Sequence, residues 1–301
     1  MKQSTLMIEK KSKKFLGNKN MKILDQHIHG AYGVDFNKCN ADEVLFVAKK
    51  LREHGVVGFF PTLVTDSVEN IRRQISVLKE AAKHCSGIIG AHLEGIFINP
   101  EKKGIHNPEH CLPLTVDNYK LVEDDFIKIV TLAPELDNGL IEYLHSKNVK
   151  VQAGHCKGWG DVDGVTHVFN AMSGIKHKVD KTDSTALRAL IEDDVYTEVI
   201  ADGVHVSDEA LKLLFRTKPD DKILLISDAL PITNSNIKET VFADSKIHYD
   251  GQKATSDYGT TAGSTTLLDG IIARLKSLGL FKEKYIENTW KYHGLNPQDF
   301  E

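Results

Sequence analysis

The chain has 301 residues, 41% of them apolar, and a formal charge of −4 at pH 7 with a pI near 6.4. That length can bury a large core, as one α/β barrel or as two smaller domains, and the acidic balance argues against a nucleic-acid partner, which needs a basic face. Four scattered cysteines without a CxxC pair fit a reducing cytoplasm, and no run approaches the roughly 18 apolar residues of a membrane span.

Residues 1–21 carry the lysine-rich start and are expected to form a solvated basic leader, or a stray strand at "STLMIEK". From Lys22 onward short β-branched runs alternate with segments of helical spacing. Strands are expected at 22–28, 55–63, 87–93, 126–132, 149–154, 164–169, 195–201 and 222–227. "ADEVLFVAKKLREHG" places Val44, Val47, Ala48 and Leu51 on one face and ends in Gly55, which reads as an amphipathic helix with its stop signal. "SVENIRRQISVLKEAAKHCSG" repeats the form with Ser67 as N-cap and Gly87 as stop, and further helices fit 135–148, 184–192, 207–216 and 264–278. Eight strands alternating with helices predict a (β/α)₈ barrel over 22–301. An open doubly wound sheet shares the local pattern, but no GxGxxG turn follows any strand.

Two regions interrupt the repeat. Residues 95–115 form a long Pro- and Gly-punctuated loop after the third strand, and 238–255 read as a β-hairpin inserted after the eighth, with Asp250-Gly251 as its turn. Loops at the C-terminal ends of barrel strands are where such folds keep their active sites.

The strand ends are rich in ligand-type residues. "ILDQHIHG" gives His27 and His29, "IIGAHLEG" gives His92 and Glu94, and "VQAGHC" gives His155. "VTHVFNAM" then gives His167, "VIADGVHV" gives Asp202 and His205, and "ILLISDA" gives Asp228. A parallel barrel brings these ends to one mouth, where imidazoles and carboxylates suit Zn²⁺, Fe²⁺ or Mn²⁺ with a position open for water. Any one such histidine is more often a hydrogen-bonded structural residue. His27 with His29 is a stronger signal, because period-two spacing points both to one side of a strand. There is no GxSxG elbow, Cys156 reads as a packed thiol, and "GDVDG" at 160–164 reads as a turn rather than a calcium loop.

The ordered series "FFPTLVT", "GAHLEGIFINPEKKGIH", "GHC", "THVFNAM", "ADGVHV", "SDA" and "TAGS" resembles the N-acetylglucosamine-6-phosphate deacetylase family of the amidohydrolase superfamily, a resemblance that covers roughly residues 22–298. The resemblance implies a metal-dependent hydrolase that removes acetate from an N-acetylated amino-sugar phosphate. It implies Glu94, His155 and His167 as principal metal ligands and His27 with His29 as ligands of a second ion. Asp228 becomes the proton-transferring aspartate and His106 a histidine beside the acetyl group. Asn170, Ala171, His205 and Lys178 are then placed at the sugar phosphate, with Gly263 and Ser264 of "TAGS" also at the substrate. "LEGIF" stands where the family has "LEGPF", and Lys178 stands where the family usually carries an arginine, which keeps the charge but loses the bidentate fork. The family's small β-sandwich domain is expected to be largely missing, leaving apolar surface for a homodimer to cover. A different amide hydrolase on the same barrel and a non-catalytic sugar-phosphate binder are the alternatives.

Overall fold

The computed structural model describes residues 21–176 and 184–300. The expected leader over residues 1–20 and Lys178 therefore lie outside the described residues. Eight strands form, each overlapping its predicted span: β1 (Ile23–Ile28), β2 (Val56–Leu63), β3 (Ala91–Glu94), β4 (Ile127–Leu132), β5 (Lys150–Ala153), β6 (Gly164–Val165), β7 (Tyr196–Val199) and β8 (Ile223–Leu225). They pair in parallel and in chain order. The ring closes at its C-terminal end, where Asp228 N–H donates to His27 O at 2.8 Å and His29 N–H donates to Ala229 O at 2.9 Å. Deeper in the seam, Asp25 Oδ1 accepts from the backbone of Ser227 at 3.2 Å and of His27 at 3.3 Å. The fold is the expected (β/α)₈ barrel.

Several strands stop earlier than the sequence suggests, and two of them bear on the site. The runs expected to reach 169 and 227 end at Val165 and Leu225. His167 (φ +29°) and Asp228 (φ +50°) take a left-handed backbone just beyond them, which an extended ladder does not admit. Both residues leave the sheet at the mouth of the barrel.

The outer layer is α1 (Ala41–Glu53), α2 (Val68–Ala82), α3 (Val116–Lys120), α4 (Leu140–Ser146), α5 (Thr185–Ile191), α6 (Asp208–Thr217), α7 (Leu268–Ser277) and α8 (Lys284–Tyr292). Asn40 and Glu43 cap α1 reciprocally at 3.0 and 2.9 Å, and Val44, Val47, Ala48 and Leu51 bury its predicted face. Full burial of the valine and leucine side chains contributes about 1.5–3 kcal/mol each, which fixes the helix against the barrel. Ser67 caps α2 through Asn70 N–H at 3.2 Å. The short α3 and the C-terminal α8 were not expected. Trp290 and Asn288 of α8 donate to Lys22 O and Ile223 O, so α8 lies across the N-terminal ends of β1 and β8.

The insertion after β8 is a three-stranded antiparallel meander rather than a single hairpin: β9 (Glu239–Phe242), β10 (Ser245–Tyr249) and β11 (Ala254–Ser256). Asp250-Gly251 turns β10 into β11. The first turn is Ala243-Asp244, both left-handed at φ +49° and +61°, a two-residue connection whose residues give no Asn-Gly signal. Phe242, Ile247 and Ala254 pack with Val64, Ile105, Leu230 and Ile232, which clamps the meander over the barrel mouth.

Candidate metal and substrate site

The predicted ligands converge. His27 is on β1 and His29 one residue past it, Glu94 ends β3, His155 and His167 lie two residues past β5 and β6, and Asp228 lies three past β8. All six are buried. Gly30 lets the chain fold back directly after His29, because a Cβ there would sit 2.0 Å from Val34 O.

Hydrogen-bond roles around this cluster show what it needs. His27 Nδ1 donates to Glu198 Oε2 at 3.1 Å and His29 Nδ1 donates to Thr62 O at 3.2 Å, both acceptor-only partners. Each neutral ring therefore presents a bare Nε2 to the centre. Those two nitrogens are 3.3 Å apart, and they lie 3.2 and 3.1 Å from Glu94 Oε2 and 3.4 and 3.0 Å from Asp228 Oδ1. Four acceptors that face one another repel unless protons or a cation sit between them. An ion with bonds of about 2.0–2.2 Å to four ligands separates those ligands by about 3.3–3.5 Å, close to the spacing found. The residues present fit a divalent ion.

The other side of Glu94 repeats the arrangement. Its Oε1 lies 3.2 Å from His155 Nε2 and 2.8 Å from His167 Nε2. His155 Nδ1 donates to Lys102 O at 2.9 Å, so its Nε2 is again an acceptor facing an acceptor. Glu94 thus stands between two ligand clusters and offers one oxygen to each. Without an ion, burial opposes charge on His27, but Glu94, Glu198 and Asp228 outweigh it and raise its pKa well above the imidazole range. His29 is likewise pushed up to about 9, with burial opposed by Asp228 and Glu94. Burial also resists ionisation of Glu94, yet His27, His155 and His167 hold its carboxyl well below the usual range.

His106 stands at the rim, with Nε2 3.9 Å from Glu94 Oε2. Thr65 N–H donates to its Nδ1 at 3.3 Å, so the ring proton is on Nε2 and points toward the cluster. Burial keeps this imidazole neutral by driving its pKa well below the ordinary value. The long 95–115 loop delivers His106, and Thr65 is a partner that the sequence reading missed.

A cavity of about 310 Å³ opens over the cluster. Asn170, Ala171, His205 and Gly263 line it, together with Val64, Ile105 and Phe242. Ser264 does not line it: its backbone braces Asp228 O at 2.8 Å from behind. His205 donates from Nδ1 to Asp202 at 2.9 Å and from Nε2 to Ala262 O at 2.7 Å. Two acceptor-only partners require both ring protons, so His205 is an imidazolium; burial opposes this but Asp202 outweighs it and raises its pKa. Cys156 is a packed thiol as expected, pushed up to about 12 by burial. A larger cavity of about 780 Å³ sits at the opposite end of the barrel and holds none of the expected ligands.

The sequence reading missed Glu198 altogether. It lies on β7, fully buried, and contacts His27. A carboxylate inside the apolar run "YTEVIA" was the available signal.

A closed parallel barrel with imidazoles and carboxylates gathered at its C-terminal mouth defines the amidohydrolase type of enzyme. No protein-family model matches the chain. The chain is 31% identical over 282 residues to N-acetylglucosamine-6-phosphate deacetylase of Caenorhabditis elegans, covering 84% of this chain and 67% of that protein. It is 30% identical over 295 residues to the Homo sapiens enzyme of the same name, covering 88% and 71%. Among solved structures, N-acetylglucosamine-6-phosphate deacetylase of Thermotoga maritima superposes with a TM-score of 0.83 at 26% identity, over 91% of this chain and 78% of that one. The chain belongs to the N-acetylglucosamine-6-phosphate deacetylase family.

Proposed function

We propose that the protein hydrolyses the acetamide of N-acetylglucosamine 6-phosphate to glucosamine 6-phosphate and acetate. The observation that carries this reading is the set of mutually facing acceptors from His27, His29, Glu94 and Asp228, which a divalent cation satisfies, at the floor of a cavity with His106 at its rim. Two ions of Zn²⁺, Fe²⁺ or Mn²⁺ are proposed. His27, His29 and Asp228 would hold one and His155 and His167 the other, with Glu94 offering an oxygen to each. A divalent ion bound here polarises the acetyl carbonyl and makes water ionisable near neutral pH.

The side chains do the rest. Asp228 takes the proton from the attacking water and returns it to the nitrogen, because the C–N bond breaks readily only when the amine leaves protonated. His106 donates its Nε2–H to the carbonyl oxygen as negative charge develops there. His205, the Asn170 amide, the Ala171 backbone and Lys178 receive the phosphate, with His205 supplying fixed positive charge. Gly263 keeps the cavity wall close to the sugar, and Ser264 acts through Asp228. Residues 22–301 serve as the catalytic barrel. A cytoplasmic setting is supported by the unpaired cysteines. A homodimer is supported by the exposed apolar side chains of Ile175 and Val204.

The test is acetate release by metal-loaded protein from a panel of N-acetylated hexosamines, phosphorylated and not, of both C4 configurations. The phosphorylated gluco substrate should turn over best. Protein that holds its ions yet releases no acetate from it would overturn the substrate assignment.

A further inference from the structure

We infer that Glu198 is a positioning residue that braces both ion positions at once. This rests on the two-ion reading above and extends it to a residue outside the ligand set. Glu198 accepts three buried hydrogen bonds. Gln26 Nε2 donates to Oε1 at 2.6 Å, while His27 Nδ1 and the backbone N–H of His167 donate to Oε2 at 3.1 and 3.2 Å. The first of the Oε2 partners belongs to one ligand cluster and the second to the other.

Each contact has a separate consequence. The bond to His27 keeps the ring proton on Nδ1 and turns Nε2 to the centre; carboxylates behind metal-bound histidines commonly act this way. The bond to His167 holds a residue whose backbone is left-handed at φ +29°, a conformation that persists only when its surroundings impose it. Three donors converge on two oxygens, so the side chain has to be an acceptor at both. A glutamine can keep an oxygen on His27 and His167 only by turning its N–H₂ toward the N–H₂ of Gln26, and that oxygen carries no negative charge, so the isosteric change weakens the brace.

The nearby trio of His27, His92 and Glu198 is not a further ion site. His92 Nδ1 donates to Gln26 O at 3.2 Å and its Nε2 accepts from Thr131 at 2.7 Å, while both Glu198 oxygens are engaged. Glu198 acts through His27 and His167 and does not reach the cavity lining.

The experiment is a titration of metal-free full-length protein with Co²⁺ alone, followed by calorimetry and by the visible spectrum of the bound ion. Wild type should take two Co²⁺ per chain. Glu198→Gln should weaken the position at His27 about ten- to a hundredfold and alter its spectrum, and Glu198→Asp, which keeps both acceptors, should recover part of the loss. Two Co²⁺ with unchanged affinities and spectrum in Glu198→Gln would overturn the inference while leaving the two-ion reading intact. Wild type that takes up fewer than two Co²⁺ would overturn the two-ion reading and the inference with it. A second measurement needs no variant: in ¹⁵N spectra of two-ion wild type, His27 should carry a slowly exchanging proton on Nδ1. A fast-exchanging proton there would defeat the inference even if both variants failed to fold.

Discussion

The Nε2 atoms of His27 and His29 face each other at 3.3 Å, while Glu198 and Thr62 O hold the proton of each ring on the far nitrogen. Two lone pairs at that distance, with a carboxylate oxygen from Glu94 and one from Asp228 against them, form a site that a cation completes. Protein purified with divalent metal should therefore carry two ions per chain by mass spectrometry. His27→Asn with His29→Asn should leave one ion, at Glu94, His155 and His167; if two remained, the pair would be structural.

Asp228, the proposed proton carrier, has Oδ1 3.0 Å from His29 Nε2 and a left-handed backbone at φ +50°. Asparagine tolerates that conformation, so Asp228→Asn should fold and keep the ion at His155 and His167. Its rate of acetate release should fall about 10²- to 10⁴-fold, the usual contribution of a positioned acid–base group. Retention of more than a tenth of the wild-type rate would assign the proton transfers elsewhere.

The Asp202–His205 pair sets a pH dependence. His205 has its pKa raised, so its contribution is complete below the usual 6.5 and is lost as pH rises through the folded value. Asp202 is pulled down to about 2, so its contribution is complete above the usual 3.8 and is lost as pH falls toward 2. KM for the phosphorylated substrate should climb as pH passes the folded pKa of His205, and KM for the unphosphorylated sugar should stay flat. His205→Gln removes the positive charge and should raise KM for the phosphorylated substrate while leaving KM for the unphosphorylated sugar unchanged. Equal KM profiles for the two sugars would remove His205 from phosphate recognition.

Phe242 reaches from the meander to the ring of His29, 5.2 Å between centroids, and with Val64 and Ile105 walls the cavity beside the ligands. This apolar corner suits the methyl of an acetyl group. Phe242→Ala should shift the ratio of propanamide to acetamide hydrolysis upward by about tenfold or more, since one methylene in an apolar pocket is worth about 1–3 kcal/mol. An unchanged ratio at equal metal content would place the acyl group elsewhere.

Much of the barrel was legible because a parallel strand buried on both faces writes a continuous apolar run, and a covering helix writes a 3.6-residue period. The clustered histidines stood out because imidazoles end those runs. Glu198 escaped because one charge inside an apolar strand has no periodic signature, and its partners Gln26, His27 and His167 come from two other strands or their ends. The helix Lys284–Tyr292 escaped because its buried face includes Asn288, Thr289 and Tyr292, polar residues that sequence patterning assigns to solvent. The meander's first turn was hidden because Ala243 and Asp244 adopt by tertiary packing a conformation that glycine and asparagine adopt on their own.

His155, His167, Ala171 and Asp228 all hold a left-handed backbone, with φ between +29° and +50°. Such conformations cost about 1–3 kcal/mol each for residues with a side chain beyond glycine. At these positions chemistry and durability pull in opposite directions. A library screened on melting temperature alone should enrich glycine and asparagine at 155, 167 and 228, and the most heat-resistant clones should be the least active. Engineering this barrel for robustness has to begin elsewhere on the chain.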